Sequence, residues 1–262
     1  MLTVALLQLA SATDPAANRG ALDRVVDAAS GGPGTPPAGL VVLPEAFQRD
    51  FGTPGSDVSV DAEPLDGPFV HRLCEVAATA GTTVVAGMFE ASEDPVRPYN
   101  TLVVVDGGGL RASYRKIHLY DSFGYKESDR LTAGPLEPVL VEVGGFRLGL
   151  MTCYDLRFPE LARQLVDRGA EALVVPSAWV AGPAKVDHWR TLVKARAIEN
   201  TVFVVAVGQP APRYCGHSMV VAPDGEVLAE LGGDEGAGSA TLDRDRWERA
   251  RATNPSLANR RL

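Results

Sequence analysis

The sequence is poor in the features that mark several large protein classes. Of its 262 residues, three are cysteine and four are histidine, and their spacing matches neither a metal-ligand motif nor a CxxC redox motif. Lysine and arginine number 25 against 33 aspartate and glutamate, and the resulting net charge of −8 disfavours binding to a nucleic-acid backbone. No apolar run approaches the roughly 20 residues that cross a bilayer. We therefore expect neither nucleic acid nor a membrane as a partner.

The composition and the amino terminus point to a folded protein of a reducing compartment. Apolar side chains make up 45% of the chain and no linker-like stretch divides it, so a single domain over residues 1–262 is expected. The apolar residues 1–10 lack the basic flank and the length of a signal peptide. Cysteines without a pairing pattern are typical of reducing conditions. The sequence thus predicts a cytoplasmic location.

Buried strands alternate with helices along the chain, which is typical of α/β proteins. Strands are predicted at residues 2–9, 40–43, 82–89, 100–106, 110–115 and 146–152, helices at 15–29, 68–80 and 159–168, and a Pro/Gly loop at 31–39. The second half resembles the first in the same order, with 4–10 aligned to 148–154, 39–47 to 172–180, 81–89 to 200–208 and 100–114 to 217–231. Two packed sheets covered by helices, an αββα four-layer sandwich, would bury these strands.

Three chemically capable side chains stand at predicted strand ends. Glu45 follows a strand that Pro44 must terminate, Lys116 follows the strand ending at residue 115, and Cys153 lies between a strand and a helix. The carboxyl ends of strands are where open α/β sheets bind ligands, and dipoles near such a position can favour a thiolate. A buried, inert cysteine and solvated charges are the alternatives, and position alone leaves the choice open.

Longer motifs carry a resemblance to a known family. The segments 43–47 (LPEAF), 114–134, 149–163 (GLMTCYDLRFPELAR), 176–179 (PSAW), 188–207 and 216–228 resemble the nitrilase superfamily of carbon–nitrogen hydrolases, in the same order. The CYDLRF wording and the KIHLY…ES segment are most similar to its Nit-type amidase branch, which includes ω-amidase and deaminated glutathione amidase. The resemblance implies an αββα sandwich, in agreement with the repeat, and a homodimer or higher homo-oligomer.

The resemblance also implies a role for each matching residue. Cys153 would be the nucleophile, Glu45 the general base, and Lys116 the cation that stabilises the oxyanion. The backbone N–H of Tyr154 would be a second oxyanion donor. Glu127 would be the family's second glutamate, which positions the substrate and orients the lysine.

Two points stay open at the level of the residues. A Cys–His mechanism would need a histidine base, and the local sequence around the four candidates does not favour one: His71, His118, His188 and His217. Arg157 could pair a substrate carboxylate bidentately, or it could bridge Asp155 or Glu160.

The sequence therefore predicts a hydrolase of small linear amides that forms a Cys-acyl thioester and releases ammonia and a carboxylate. An apolar wall from Phe123, Tyr125 and Trp179 and a carboxylate at the far end of the substrate are further expectations. Hydrolysis of an N-carbamoyl amide or a nitrile by the same triad is the alternative, and a non-catalytic metabolite-binding protein is a second. No metal or other cofactor is expected, because the sequence has no HExxH cluster and residues 107–109 read as a turn.

Overall fold

The computed structural model describes residues 1–31, 34, 36–53 and 55–261. The strands are β1 Leu2–Gln8, β2 Leu40–Val42, β3 Thr83–Glu90, β4 Tyr99–Asp106, β5 Gly109–Arg115, β6 Asp121–Ser122, β7 Tyr125–Lys126, β8 Leu140–Val143, β9 Phe146–Leu150, β10 Ala172–Ser177, β11 Phe203–Gly208, β12 Met219–Val221, β13 Val227–Glu230 and β14 Gly236–Leu242. The α-helices are α1 Pro15–Ala21, α2 Arg24–Ser30, α3 Pro68–Ala80, α4 Pro159–Asp167, α5 Lys185–Asn200 and α6 Arg244–Thr253, and 3-10 turns cover Ser59–Asp61, Glu127–Asp129 and Cys153–Arg157.

Most predicted elements agree with the structure to within two residues, but the helix predicted at 15–29 is wrong as a single element. It divides into α1 and α2 around Leu22 and Asp23. There the chain makes i to i−3 bonds, from Leu22 N–H to the Arg19 carbonyl and from Val25 N–H to the Leu22 carbonyl. Gly20 is a weak helix former just before the break, which favours this tightening. The predicted loop at 31–39 lies partly outside the described residues.

Within the described residues, twelve of the fourteen strands form two six-stranded sheets with matching topology, and β6 pairs with β7 in a separate two-stranded ribbon. The first has the order β14-β1-β2-β3-β4-β5 and the second the order β8-β9-β10-β11-β12-β13. In each sheet the second, third and fourth strands are parallel and the outer strands antiparallel. The strand order of the predicted internal repeat is therefore confirmed.

The register of that repeat differs by one residue from the sequence alignment. Val4 lies opposite Leu40 in the first sheet, and Leu148 lies opposite Ala172 in the second. With Val4 matched to Leu148, as in the alignment, the observed pairing matches Leu40 to Ala172, whereas the alignment matches Leu40 to Leu173. Because side chains alternate between faces, a one-residue slip exchanges inside and outside, and a run of similar apolar residues does not reveal it.

The two sheets pack face to face and helices cover their outer faces. Val4, Leu6 and Val42 of the first sheet share a buried core with Leu148 and Leu150 of the second. On its other face the first sheet contributes Ala5, Leu7 and Val84 to a second buried core. The helices complete this core with Leu22 at the end of α1, Val25 of α2, and Phe69 and Leu73 of α3. The second sheet is covered by α4 and α5: Leu161, Leu165, Trp189 and Val193. This arrangement confirms the predicted αββα sandwich, and each fully buried Leu, Val or Phe contributes about 1.5–3 kcal/mol by its removal from water.

The pairing of the sheets brings together strand ends from both halves of the chain. Glu45 lies just beyond β2 of the first sheet, and Cys153 lies just beyond β9 of the second. No helix in the described part of the chain combines the length and the apolar character needed to cross a bilayer.

Candidate active site

Glu45 is held against the neighbouring strand by unusually close backbone packing. The chain after β2 turns along β3, where Gly87 N–H donates to the Pro44 carbonyl and Gln48 N–H donates to the Gly87 carbonyl. A Cβ at Gly87 would lie 2.4 Å from the Ala46 nitrogen and 2.7 Å from Glu45 Cα, so only glycine fits here. The Glu45 side chain is thereby fixed in the interior with 1% of its surface exposed.

Lys116 and Glu127 reach the same point from different loops. Lys116 follows β5 directly, and its backbone N–H donates to the Asn100 carbonyl at 2.8 Å. Glu127 begins the 3-10 turn after the β6–β7 ribbon, and its Oε2 accepts the Tyr120 backbone N–H at 2.5 Å. Both side chains are 2% exposed, which is rare for charged residues unless they are paired.

The three charged groups form one buried hydrogen-bonded network. Lys116 Nζ lies 3.0 Å from Glu45 Oε1 and 3.0 Å from Glu127 Oε2. Asn100 Nδ2 donates to Glu45 Oε1 at 2.8 Å and to Glu127 Oε1 at 3.3 Å. The second carboxylate oxygen of Glu45, Oε2, accepts the backbone N–H of Ala178 at 2.6 Å. One ammonium and one amide thus each bind both carboxylates, and a backbone N–H just beyond the end of β10 in the second sheet binds the remaining oxygen of Glu45.

Burial and neighbouring charge act on Lys116 in opposite directions. Burial alone lowers the pKa of this lysine, but the carboxylates of Glu127 and Glu45 outweigh it and hold the pKa well above the usual value. Burial raises the pKa of Glu127, and the charge of Lys116 only partly offsets that rise. Lys116 is therefore a fixed cation at neutral pH.

Cys153 stands on a sharp turn between β9 and α4. Its φ is +46°, a left-handed conformation that costs a non-glycine residue roughly 1–3 kcal/mol and persists where the surroundings impose it. Asp155, fully buried, supplies that constraint. Its carboxylate accepts Thr152 N–H at 2.8 Å, Tyr114 Oη at 2.7 Å and His118 N–H at 3.1 Å, and it also contacts His118 Nδ1 at 2.7 Å.

The strand-end position of Cys153 does not by itself favour a thiolate in the resting site. Burial raises the pKa of the thiol well above its usual value, and the carboxylate of Glu45 raises it further. The helix α4 begins only at Pro159, so its positive end is not adjacent to the sulfur. A neutral thiol beside a carboxylate therefore needs a base at the moment it reacts.

All six residues singled out from the sequence line one cavity of about 600 Å³: Glu45, Lys116, Glu127, Cys153, Tyr154 and Arg157. Cys153 and Tyr154 are the first two residues of their 3-10 turn, whose first internal hydrogen bond runs from Asp155 N–H to the Thr152 carbonyl. The N–H groups of Cys153 and Tyr154 therefore have no acceptor within the turn. Phe123, Tyr125 and Trp179 also line the cavity, as the apolar wall requires.

The open question about Arg157 is answered in part. Its guanidinium carbon lies 4.9 Å above the Trp179 ring, and its Nη2 is 3.5 Å from His188 Nδ1. Asp155 is occupied by other donors, and among the described residues no ion pair joins Arg157 to Glu160. Arg157 therefore faces the cavity and bridges neither acid.

The histidines lie outside the cavity. None of the four, all of which fall in the described part of the chain, is among the lining residues. His118 contacts Asp155 and stacks on Phe158 with ring centroids 3.8 Å apart, so it supports the Cys153 turn without lining the cavity. A Cys–His arrangement has no geometric basis here.

Three contributors to the site were missed by the sequence reasoning. Asn100 joins the two carboxylates, Asp155 fixes the turn of Cys153, and the Ala178 N–H reaches Glu45 from the opposite sheet. Asn100 gave one usable signal, since it is a polar residue at the start of an otherwise apolar strand. Ala178 gave none, because its contribution comes from the backbone.

The fold and the site define a carbon–nitrogen hydrolase. The profile of the carbon-nitrogen hydrolase family matches residues 3–252, and the chain belongs to this family of enzymes. It is 42% identical over 225 residues to deaminated glutathione amidase of Escherichia coli O157:H7, covering 85% of each chain. It is also 36% identical over 238 residues to omega-amidase NIT2 of Xenopus tropicalis, covering 86% of this chain and 83% of that one. The predicted likeness to the Nit-type branch is confirmed.

Solved structures show the same fold. Saccharomyces cerevisiae Nit3, described as a member of branch 10 of the nitrilase superfamily, superposes with a TM-score of 0.86 at 30% identity, over 100% of this chain and 97% of that one. A glutamate-to-glutamine mutant of the amidase from Nesterenkonia sp. AN1 superposes with a TM-score of 0.79 at 28% identity, over 98% and 100% of the chains. That mutant shows Michael addition of acrylamide at its active-site cysteine.

Proposed function

We propose that this protein hydrolyses a small linear amide through an acyl thioester on Cys153. The observation that carries the proposal is the buried network of Glu45, Lys116 and Glu127 beside the Cys153 thiol in one cavity. The amidase names of its relatives support an amide as the substrate. Asparagine and backbone donors hold both carboxylates, so the charged groups are in place before a substrate arrives.

The first half-reaction uses Glu45 and Lys116 in different ways. Glu45 accepts the thiol proton while the Cys153 sulfur attacks the amide carbon, forming a tetrahedral intermediate. Lys116 Nζ contacts one oxygen of Glu45 and both oxygens of Glu127, the longest of these contacts being 3.2 Å to Glu127 Oε1. An ammonium has three N–H bonds, so one can serve each carboxylate while the third turns from that longer contact to the oxyanion. The Tyr154 N–H is the second donor. Glu45 then passes its proton to the departing nitrogen, the carbon–nitrogen bond of the tetrahedral intermediate breaks, and ammonia leaves, so that the acyl thioester remains on Cys153.

The second half-reaction hydrolyses the acyl thioester, with water as the nucleophile and Glu45 again as the base. Glu45 takes a proton from water, and the resulting hydroxide attacks the thioester carbonyl. The carbon–sulfur bond breaks, the carboxylate product is released, and the thiolate recovers the proton. Glu127, which is bonded to Lys116 and to the Tyr120 N–H, keeps the ammonium oriented through both steps. Arg157 lines the cavity, and a guanidinium can bind a carboxylate at the far end of the substrate, which supports an ω-amide of a carboxylic acid as the proposed substrate.

Ammonia release from a panel of matched substrates tests the proposal. The panel comprises glutaramate, pentanamide, pentanenitrile and an N-carbamoyl amino acid, each assayed with wild-type protein and with Cys153→Ala. We expect the fastest release from glutaramate and no release above background in the variant. Faster turnover of the nitrile or of the carbamoyl compound would show that this compound class, and not a linear amide, is the substrate class of the enzyme. Turnover of glutaramate by Cys153→Ala would refute the thioester mechanism.

The remaining expectations are proposals that rest on the family resemblance and on composition. We infer a single carbon–nitrogen hydrolase domain over residues 1–262, a homodimer or higher homo-oligomer, and a cytoplasmic location. Sedimentation of the purified protein at several concentrations tests the oligomer, and a monomer at every concentration would contradict it.

A further inference from the structure

The cavity is lined by two cations that have no acidic partner within the described part of the chain. Lys116 is paired with Glu45 and Glu127, and Arg213, which also lines the cavity, is paired with Asp50. Arg157 and Lys185 line the same cavity and form no ion pair. Within the described residues, the positive charge of these two side chains is thus left without a counter-charge from the protein.

Lys185 is held in place by aromatic groups. It is the first residue of α5, and its Nζ lies 3.3 Å from Tyr120 Oη and 4.0 Å from the centroid of the Phe123 ring. The same Nζ is 5.9 Å from the Trp179 ring centroid. Contacts with ring faces attract an ammonium weakly but favour one position for it, so these aromatic groups hold the Lys185 ammonium at the cavity wall.

Arg157 flanks the same indole ring. Its Cζ lies 4.9 Å from the Trp179 ring centroid, and its Nε is buried without any hydrogen-bond partner. A buried guanidinium N–H without an acceptor costs free energy that a bound acceptor would recover. The Trp179 ring therefore lies beside two cations, Arg157 of the 3-10 turn and Lys185 of α5.

Arg157 and Lys185 are both positively charged, and they repel each other. Burial lowers the pKa of Lys185, and the nearby positive charge of Arg157 lowers it further. An anion bound between them would offset the effects of burial and of repulsion on the Lys185 ammonium, because it would supply a negative charge and a hydrogen-bond acceptor. The protein alone leaves this part of the cavity electrostatically incomplete.

We propose that Lys185 acts with Arg157 as a carboxylate-binding subsite, and that Lys185 determines specificity by favouring amides with an anionic far end over uncharged amides of the same length. The aromatic side chains that line the same cavity suit a short methylene chain. The substrate part of this inference rests on the proposed amidase function, whereas the anion binding does not.

Binding of glutarate, a five-carbon dicarboxylate that lacks the amide, tests the subsite without turnover. Isothermal titration of the wild-type chain should give saturable binding that Lys185→Met weakens by about 10-fold or more, since hydrogen bonds to charged groups contribute about 1.5–3 kcal/mol. Lys185→Arg should recover part of the affinity. Lys194→Met, an exposed lysine of the same helix, should bind like wild type. Absence of glutarate binding, or equal affinity in Lys185→Met and wild type, would overturn the inference.

The substrate preference is tested by a ratio of rates. The kcat/KM for glutaramate divided by that for pentanamide should fall about 10-fold in Lys185→Met and stay unchanged in Lys194→Met. A merely structural role for Lys185 would lower both values together and leave the ratio intact. If wild-type protein binds glutarate but releases no ammonia from either amide, the proposed function fails and the anion subsite stands.

Discussion

The two sheets share strand order and direction, yet the ends that meet at the cavity carry different chemistry. In the observed register, Glu45 of the first sheet corresponds to Ser177 of the second, and Cys153 of the second corresponds to Leu9, a buried apolar residue of the first. The backbone scaffold is repeated while the acid–base group and the nucleophile are divided between the halves. Neither half alone contains the chemistry, so the packing of the sheets creates the site.

The halves also differ in how their charges are satisfied. Glu45, Lys116 and Glu127 from the first half are paired with one another inside the protein. Arg157 and Lys185 from the second half have no such partners among the described residues. The first half is therefore organised before the substrate binds, and the second half is completed by it. Substitutions in the first half should affect the chemical step, and those at the two cations should affect which substrate is chosen.

The largest effect among the charged residues is expected from Lys116→Arg. The variant keeps the positive charge, but a planar guanidinium cannot replace a compact ammonium between two carboxylates. We expect kcat to fall by about 10³-fold, the upper end of the range for a missing oxyanion donor. Steady-state ammonia release measures this, with Lys194→Arg as the matched control. Wild-type rates in Lys116→Arg would remove the lysine from the mechanism.

Glu45→Gln should lower the rate of acylation by at least ~10²-fold, because the amide keeps the size of the side chain but cannot accept the thiol proton. Since burial raises the pKa of Cys153, the variant should regain rate as the pH rises and the thiol ionises without a base. The measurement is kcat/KM between about pH 6 and pH 10.

Glu171→Gln is the control for that variant. Glu171 is another buried glutamate, paired with Arg244 at the opposite end of β10, so its loss should spare the rate. If Glu45→Gln and Glu171→Gln had the same activity and the same pH profile, Glu45 would not be the base.

A smaller effect, roughly 10-fold in kcat/KM, is expected from Asn100→Ala. The amide bridges two carboxylates, and losing a donor to an ionised carboxylate disfavours its charged form. The acid limb of the pH profile should therefore move to higher pH. A lower melting temperature with an unmoved acid limb would assign Asn100 a purely structural role.

No effect is expected from metal chelation. The proposed chemistry uses a thiol, a carboxylate and an ammonium, so exhaustive dialysis against EDTA should leave ammonia release unchanged when a thiol reductant protects Cys153. Activity that is lost with the chelator and restored by a divalent ion would favour a metal-assisted mechanism instead.

Much of this architecture could be predicted from the sequence because it depends on local patterns. Apolar runs ending at Pro44 and at Cys153 fixed both strand ends, and the motifs around Lys116 supplied the charged partner. The network around them could not be predicted, since Asn100 and Glu45 are 55 residues apart and the Ala178 donor is a backbone group 133 residues away. The thiol's raised pKa likewise follows from burial, which a strand-end position does not reveal.

The most direct test of the central claim is the covalent intermediate itself. Wild-type protein is quenched with acid during turnover of glutaramate, and its peptides are analysed by mass spectrometry. The account predicts one glutaryl group in thioester linkage on Cys153, absent when Cys153→Ala is treated in the same way. A glutaryl group on Cys74 or Cys215, or undiminished turnover with no adduct on Cys153 at any quench time, would contradict it.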